Sequence, residues 1–430
     1  MPKDSPKELF TPPPLPVAAL GHAERVACLR LIRSDDIGPK RFQKLVNHFG
    51  GARKALDARD AWPDLARKTR SGRPLEICSQ DRAEAELEAA DRIGAVPLFT
   101  IEPVYPRAIA HLSMPPPLLY VKGRLEVLQA PMVAIVGARN GSAAGSRMTR
   151  LMATRLGEEG FVVVSGLARG IDTAAHEAAL PTGTVAVLAG GLDHVYPPEN
   201  EALQAAIADK GCLISENPPG FRPRGQDFPR RNRIISGVSL GIIVVEAATR
   251  SGSLITAHAA AEQGRLVMAV PGHPMDPRAA GPNRLIKDGA TMLLTPDDAI
   301  AELRPLLENL TWTRGRLLDD ATPSALSRRP AEEFDLEPGI AADEGGESDF
   351  DPAAPSANEL LSHAGHLAGS RPDPVAAVLA VLGPAPSTVD EIARAARLPI
   401  HIVSAALLEL ALSGRIEQHG SQLVSLKPEA

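Results

Sequence analysis

The stretch VAIVGARNGSAAGSRMTRLMATRLG, residues 133–157, holds a short β-branched run, a glycine-rich turn with an arginine, and a helical segment, in that order. In the helical segment Met148, Leu151, Met152 and Leu156 recur at helical spacing, which is enough to cover one face of a sheet. A strand that leads through a short turn into a covering helix is the repeating unit of a parallel sheet. The stretch therefore predicts the first such unit of an α/β domain.

Similar short runs, each bounded by Gly, Pro or Ser, alternate with helical segments along the following residues. The predicted strands are Met132–Val136, Phe161–Val164, Thr184–Leu188, Cys212–Ser215, Leu240–Val245, Leu266–Val270 and Thr291–Leu294. No strand is predicted before Met132. The pattern predicts a Rossmann-like, doubly wound, mostly parallel sheet within a domain that spans residues 95–305.

Two segments precede this domain. Residues 1–21 are proline-rich without apolar periodicity, which predicts a disordered tail. Residues 22–94 are helical in pattern, and the break Ile37-Gly38-Pro39 followed by Phe49-Gly50-Gly51 has features of a helix-hairpin-helix or SAM-like domain. Pro39 stands where a second hairpin glycine is usual, so the residues alone favour a plain small helical domain over a hairpin whose amides hold DNA phosphates.

Two more segments follow it. Residues 306–371 are predicted to be a partly acidic linker, because 331–351 contain nine acidic residues and no Lys or Arg. Residues 372–430 show three amphipathic helices near 373–382, 388–397 and 400–413, then two short strands around His419-Gly420. This order predicts a winged helix.

Composition limits the possible functions. The chain has 430 residues and a net charge of -6, which excludes coating nucleic acid through bulk positive charge, so a polyanion site must be local. Aromatic residues make up 3% of the chain, which disfavours a surface built mainly of stacking platforms. Three dispersed cysteines fit a reducing cytoplasm. No stretch approaches the ~18 apolar residues of a membrane helix, and prolines occupy the place of a signal peptide's apolar core, so neither membrane insertion nor export is expected.

Two loops after predicted strands repeat one design. Gly137–Ser142 and Ser165–Asp172 each combine small residues with an arginine, Arg139 or Arg169, at the start of a helix. Free amides and the helix dipole favour an anion there, and tight turns alone do not explain an exposed arginine in each loop. The first loop lacks GxGxxG and a ribose-binding acid, so a dinucleotide site is disfavoured. Both loops are predicted to bind phosphate.

A third loop concentrates positive charge. Residues 222–233 hold five arginines and one acid, whereas residues 131–300 as a whole have sixteen basic and sixteen acidic residues. Arginine forks suit phosphate oxygens and base edges, and Phe228 adds a stacking face. A solvated surface loop is the alternative interpretation.

Catalytic and metal-binding interpretations are weaker. Asp172 and His176 lie one helical turn apart, but we expect Asp172 to be an N-cap and His176 a satisfied polar residue. Glu246 ends a predicted strand, and a purely structural role is the alternative to a role in a binding site. The sequence has no GxxxxGK[ST], GxSxG or HExxH motif, which excludes ATP hydrolysis by a Walker loop.

The motifs of the middle domain resemble the DNA-processing protein A family, DprA/Smf. The resemblance covers about 200 residues in order and spacing, including Tyr105-Pro106 and PPPLLYVKG at 115–123. Its main motifs are VAIVGAR at 133–139, VSGLARGIDTAAH at 164–176, AVLAGGLDHVYPPEN at 186–200, LISENPPG at 213–220, FPRRNRIISG at 228–237, VVEAATRSGSLITA at 244–257 and AVPGHP at 269–274. The chain departs from the family at Ala138, at Ser142–Gly145 and at His258, where Ser, a Thr-x-Tyr-Gly run and Arg are usual.

The resemblance implies a cytoplasmic, non-enzymatic protein without cofactor or metal. Such a protein binds single-stranded DNA, protects incoming DNA during natural transformation and helps to load a RecA-type recombinase. It also implies a homodimer through the Rossmann-like domain, involving residues 281–286. The DNA-binding residues carried over by position are Arg139, Ser165, Gly166, Arg169, Phe228, Arg230, Arg231, Asn232 and Arg233. We expect Arg139, Arg169, Arg231 and Arg233 to line one pocket.

Two alternatives come from other classes. One is a nucleotide hydrolase of the lysine-decarboxylase-like Rossmann group, although residues 249–253 replace its PGGxGT loop. The other is a transcription factor that reads duplex DNA through its winged helix. Residues 372–430 contain four basic and six acidic side chains, and 400–412 contain no Lys or Arg. This charge predicts that the winged helix contacts protein rather than DNA.

Overall fold

The computed structural model describes residues 20–62, 74–110, 112, 114–315, 373–384, 386–419 and 423–427. Most of the predicted tail, the acidic stretch 331–351 and most of the predicted linker lie outside this range. Helices at the start of the described chain are His22–Ile32, Pro39–Phe49, Ala52–Asp57 and Gln80–Arg92. Pro39 opens the second of them, where its missing N–H costs nothing, and Gly50 ends it in the left-handed conformation at φ 69°.

A nine-stranded sheet forms the centre of the molecule, in the order β1-β2-β6-β5-β4-β3-β7-β8-β9. Strands β3 to β9 are parallel, whereas β2 pairs antiparallel with β1 and with β6. Its strands are β1 Val96–Phe99, β2 Leu118–Gly123, β3 Met132–Val136, β4 Val162–Ser165, β5 Thr184–Val187, β6 Cys212–Ser215, β7 Gly241–Val244, β8 Leu266–Ala269 and β9 Thr291–Met292. This order confirms the Rossmann-like, mostly parallel sheet.

The strands β1 and β2 are not among those predicted from the sequence. Pro97 lies inside β1 and prolines precede β2, and proline is a poor sign of a central strand because it cannot donate to the sheet. β1 is an edge strand, where proline is tolerated, and the prolines before β2 lie outside that strand.

Helices cover both faces of the sheet. On one face, Val133 and Ile135 pack with Met152 and Leu156. On the other face, Ala134 and Val136 belong to a second hydrophobic cluster. Leu151 is 51% exposed, so the expectation that it covers the sheet is wrong, because the buried stripe of its helix is centred on Met152. The helices of this domain are Arg107–Ala110, Ala143–Glu158, Ile171–Ala179, Glu201–Lys210, Asp227–Val238, Gly252–Glu262, Ala280–Lys287 and Pro296–Gly315. The last one continues past the predicted boundary at 305.

The N-terminal helices share a hydrophobic core with the antiparallel side of the sheet. A polar network also joins the two parts: Arg33 donates to both oxygens of Glu86, and the Tyr120 hydroxyl donates to Glu86 Oε1 at 2.5 Å. Arg25 pairs with the buried Glu102 at 3.1 Å. The helical domain is therefore packed firmly on the Rossmann-like domain.

The C-terminal residues form a winged helix, as predicted. Its helices are Pro374–Val381, Val389–Ala396 and Ile400–Leu412, and its sheet has the order β10-β12-β11, with β10 Ser387–Thr388, β11 Ile416–His419 and β12 Leu423–Leu426. The short β10 is not predicted by the sequence. Glu417 pairs with Arg107 of the Rossmann-like domain at 2.7 Å.

Within the described residues, no single helix is long and apolar enough to cross a membrane. Val389–Ala396 and Ile400–Leu412 pass that test only when taken together across a bend of 108°.

Candidate nucleic-acid interface

Loops at the carboxyl end of the parallel strands enclose a narrow pocket, called here the arginine pocket. The loops after β3, β4 and β5 form it together with the start of helix Asp227–Val238. Its lining residues are Arg139, Gly166, Ala168, Leu188, Ala189, Gly190, His194, Tyr196, Pro223, Phe228 and Arg231. This is the edge of an open α/β sheet at which ligands bind.

Close backbone packing fixes two of these loops. The Ile171 N–H donates to the Ala138 carbonyl at 3.2 Å. Gly170 has φ 76°, and a Cβ added there would overlap the Ala138 carbonyl oxygen and lie 2.7 Å from that of Arg139. Only glycine fits this position, because both the conformation and the space exclude a side chain. The loops that carry Arg139 and Arg169 are thus held against each other.

Arg231 is a buried cation at the floor of the pocket. Its Nη1 donates to the carbonyls of Gly166, at 2.7 Å, and Val187, and its Nε donates to Asn232 Oδ1 at 3.1 Å. Burial lowers the pKa of Arg231 to about 10, opposed by the negative charge of Asp172, so the guanidinium stays charged at neutral pH. Within the described chain it makes no ion pair, and its Nη2 has no hydrogen-bond acceptor. The floor therefore carries a positive charge with a free donor.

Aromatic side chains lie beside this charge. The guanidiniums of Arg139 and Arg231 are 5.8 Å and 5.9 Å from the centre of the Phe228 ring, and the Tyr196 and Phe228 rings are 5.4 Å apart. Tyr196 is 44% exposed. Tyr196 and His194 are not among the site residues that the sequence predicts, although both follow strand β5, as the arginine loops follow β3 and β4. That position after a parallel strand was the signal that would have found them.

Three predicted arginines pair with carboxylates instead of lining the pocket. Arg169 pairs with Glu199 at 2.5 Å, and Arg230 and Arg233 each contact one oxygen of Glu216 at 2.5 Å. Arg233 also donates to the Met114 carbonyl at 3.0 Å. Of the four arginines expected in one pocket, the structure brings together Arg139 and Arg231.

Three further predicted residues support the pocket through hydrogen bonds within the protein: Ser165, Gly166 and Asn232. Ser165 is buried and donates its hydroxyl to the Ile135 carbonyl at 2.6 Å. The Gly166 N–H donates to Asp172 Oδ2 at 3.2 Å, and the Asn232 side chain donates to the Gly252 carbonyl at 3.3 Å. Their polar groups are used inside the protein, and their direct contact with DNA stays a prediction.

Asp172 and His176 are structural, as expected, but the predicted N-cap role of Asp172 is wrong. The expectation that His176 is a satisfied polar residue is also wrong, because its buried Nε2 has no hydrogen-bond partner among the described residues. Gly170 is the N-cap, and the Asp172 carboxylate accepts the amides of Gly166 and Ala168; burial raises its pKa. His176 is buried and its Nδ1 lies 2.8 Å from Thr184 Oγ1. Burial, helped by the charge of Arg231, lowers the pKa of His176 to about 3.

Glu246 also has a structural role. Its carboxylate accepts the Ser142 N–H at 2.8 Å and hydroxyl at 2.5 Å, which fixes the start of helix Ala143–Glu158. In the described part of the chain, no three His, Cys, Asp or Glu side chains are placed to hold a metal ion.

Three family models match this chain. The model of DNA recombination-mediator protein A matches residues 97–304, the DprA-like N-terminal HHH domain matches 22–89, and the DprA winged helix domain matches 352–422. Together they span more than half of the sequence. The chain belongs to the DprA/Smf family of DNA-processing proteins. The N-terminal part is therefore the family's HHH domain, and the plain helical domain that the residues favoured is wrong.

Relatives in the DprA/Smf family cover the same region. DprA of Bacillus subtilis is 42% identical over 214 residues, which is 49% of this chain and 71% of the relative. DprA of Streptococcus pneumoniae is 44% identical over 48% of this chain and 74% of its own length. Smf of Escherichia coli is 44% identical over 46% of this chain and 54% of its own length.

Two solved DprA structures are also similar. The X-ray structure of DprA from Streptococcus pneumoniae is 35% identical, covers 59% of this chain and 82% of its own, and has a TM-score of 0.49. A structure of DprA from Helicobacter pylori, described for its single-stranded DNA binding mode, is 31% identical, covers 50% of this chain and 96% of its own, and has a TM-score of 0.45.

Proposed function

We propose that this DprA/Smf protein binds single-stranded DNA, with one phosphate held in the arginine pocket between Arg139 and Arg231. The observation that carries the proposal is the buried Arg231 guanidinium, which has a free Nη2 and no ion-pair partner in the described chain. The free Nη2 can donate to a phosphodiester oxygen, and charge-assisted hydrogen bonds from guanidinium to phosphate are strong.

The aromatic pair favours a single strand over a duplex. Phe228 and Tyr196 offer ring faces beside the two guanidiniums. A base of a single strand is free to stack on such a face, whereas the bases of a duplex are stacked on each other. Stacking tolerates every base, so binding should depend little on sequence.

A role without catalysis is supported by the titratable groups next to the pocket. Asp172 and His176 are buried and hydrogen-bonded to neighbouring residues. Burial raises the pKa of Asp172 and lowers the pKa of His176, which favours the neutral form of each side chain. Neither is placed as an acid or base at a ligand. The protein then acts by holding DNA, in the cytoplasm, where it protects incoming strands and passes them to a RecA-type recombinase.

Dimerisation through the β9 edge of the sheet is part of the proposal. Residues 281–286 lie in helix Ala280–Lys287, where Gly281 and Pro282 are buried. Met292 in the edge strand β9 and Leu294, two residues after it, are exposed at 48% and 59%. A second copy would cover them and align two pockets, which strengthens binding to a longer strand. Sedimentation at micromolar concentration should give a dimer mass, and a monomer mass would contradict this.

The central test is binding of oligo-dT and of duplex of equal length at several salt concentrations. The wild type should prefer oligo-dT. Arg139→Ala should weaken binding and reduce the salt slope by roughly 0.7, the value of one single-strand phosphate contact. Arg150→Ala is the control, because Arg150 is an exposed arginine outside the pocket. If Arg139→Ala binds oligo-dT as tightly as Arg150→Ala, the pocket is not the DNA site.

A further inference from the structure

We propose that Glu199 is a displaceable counter-ion of Arg169, and that Arg169 becomes a second phosphate contact when DNA replaces the Glu199 carboxylate. The inference rests on the proposed function of the arginine pocket. Arg169 does not line that pocket, but Ala168, its neighbour in the chain, does. The proposal places the next phosphate along the strand at this arginine.

Asn200 holds Glu199 at this place. The Asn200 Nδ2 donates to the Leu167 carbonyl at 2.9 Å and to Thr173 Oγ1 at 3.0 Å, and the Asn200 residue is buried. These bonds join the segment after β5 to the loop after β4. The backbone beside Glu199 is thus fixed against the loop that carries Arg169, while the two charged side chains reach into solvent.

The Arg169–Glu199 pair is exposed and easily exchanged. Its side chains are 59% and 58% exposed, and the pair measures 2.5 Å. Exposed ion pairs contribute about 0.2–1 kcal/mol, because water and salt screen them and two long side chains lose freedom. Arginine forms the same bidentate, charge-assisted contact with phosphate as with carboxylate, so a DNA phosphate can take the place of the Glu199 carboxylate.

Glu216 shows the opposite behaviour. Its side chain is 8% exposed and contacts both Arg230 and Arg233 on helix Asp227–Val238. Displacing it would leave a buried carboxylate without a partner, which is costly. Glu216 therefore positions the helix that carries Phe228 and Arg231, and it stays paired when DNA binds.

The test compares single carboxylate-to-amide variants at about 0.15 M salt, where distant charges are largely screened. Glu199→Gln should bind oligo-dT roughly two- to fivefold more tightly, the effect of removing a surface ion pair. Glu177→Gln is the matched control: its pair with Arg150 is exposed at 50% and 53%, and the charge change is the same. Equal affinities of these two variants would overturn the proposal.

A second pair of variants separates loss of the counter-ion from simple repulsion. On the Arg169→Ala background the gain from Glu199→Gln should shrink, because there is no arginine to release. An undiminished gain would show that Glu199 only repels DNA and would overturn the proposal. Glu216→Gln should lower the thermal stability without tightening DNA binding; tighter binding would contradict the distinction between the two carboxylates.

Arg139→Ala is measured in the same series. If it binds like wild type, the arginine pocket itself is not the site and the proposed function fails. If Arg139→Ala binds weakly while Glu199→Gln binds like Glu177→Gln, the pocket stands and only the role of Glu199 is wrong.

Discussion

The carboxyl edge of the sheet and the winged helix are both architectures that often bind nucleic acid, yet their charges differ. The loop 222–233 holds five arginines and one acid, whereas residues 372–430 hold four basic and six acidic side chains. At the sheet edge, the buried Arg231 guanidinium lies at the floor of the narrow arginine pocket. In the winged helix, Ile400, Leu408 and Leu412 of the third helix are exposed at 56%, 60% and 73%. Architecture alone therefore does not predict a DNA site, and the local charge has to be considered with it.

Removing the charge at the pocket floor should have the largest effect. Arg231→Ala should lower the free energy of unfolding of the Rossmann-like domain by about 3 kcal/mol, because the buried Asp172 loses its opposite charge and two carbonyls lose a donor. Urea unfolding measures this. Arg231→Lys keeps the charge, so its free energy of unfolding should lie between those of the wild type and Arg231→Ala. Equal stability of all three proteins would contradict the role of Arg231.

Removing the stacking face should weaken DNA binding next most strongly. Phe228→Ala should cost about 1–3 kcal/mol of oligo-dT binding, the usual value for one stacked base. Phe228→Trp keeps a ring face and should bind nearly as well as wild type in a fluorescence-anisotropy titration. Equal binding by the alanine variant would show that no base lies on this ring.

Acid should destabilise the sheet domain through His176. Its pKa is about 3 in the folded protein against an ordinary value of 6.5, so the unfolded chain takes up the proton first as the pH falls. Between pH 7 and pH 5 this should cost about 2 kcal/mol, which His176→Asn should remove. The raised pKa of Asp172 acts in the opposite direction in both proteins and cancels in their difference. Identical pH profiles of the two proteins in urea unfolding would contradict this.

Deleting the winged helix should have the smallest effect on DNA binding. A chain truncated at about Arg329 should lose less than tenfold in oligo-dT affinity, below about 1.4 kcal/mol. The winged helix has more acidic than basic side chains, so its binding to DNA gains little from counter-ion release, and its Glu417 is already paired with Arg107. A larger loss, with the dimer mass unchanged, would show that the winged helix itself holds DNA.

Local patterns in the sequence predicted the seven strands from Met132 onward, the winged helix and the loops at the carboxyl edge. Such features follow from short-range rules: β-branched runs form strands, and glycine allows tight turns between strand and helix. They failed at β1 and β2, where prolines obscure the strand pattern, and at Asp172, where a plausible N-cap residue instead accepts amides of the loop before it.

By itself, the sequence determined the order of the domains, the family and which loops carry arginine. Only the tertiary structure decided what each arginine does. Arg139 and Arg231 face one pocket, while Arg169, Arg230 and Arg233 are neutralised by Glu199 and Glu216, which are 14 to 30 residues away in the chain. The charge of a side chain is local information, but its partner is chosen by which loops the sheet brings together, and no spacing in the sequence encodes that contact.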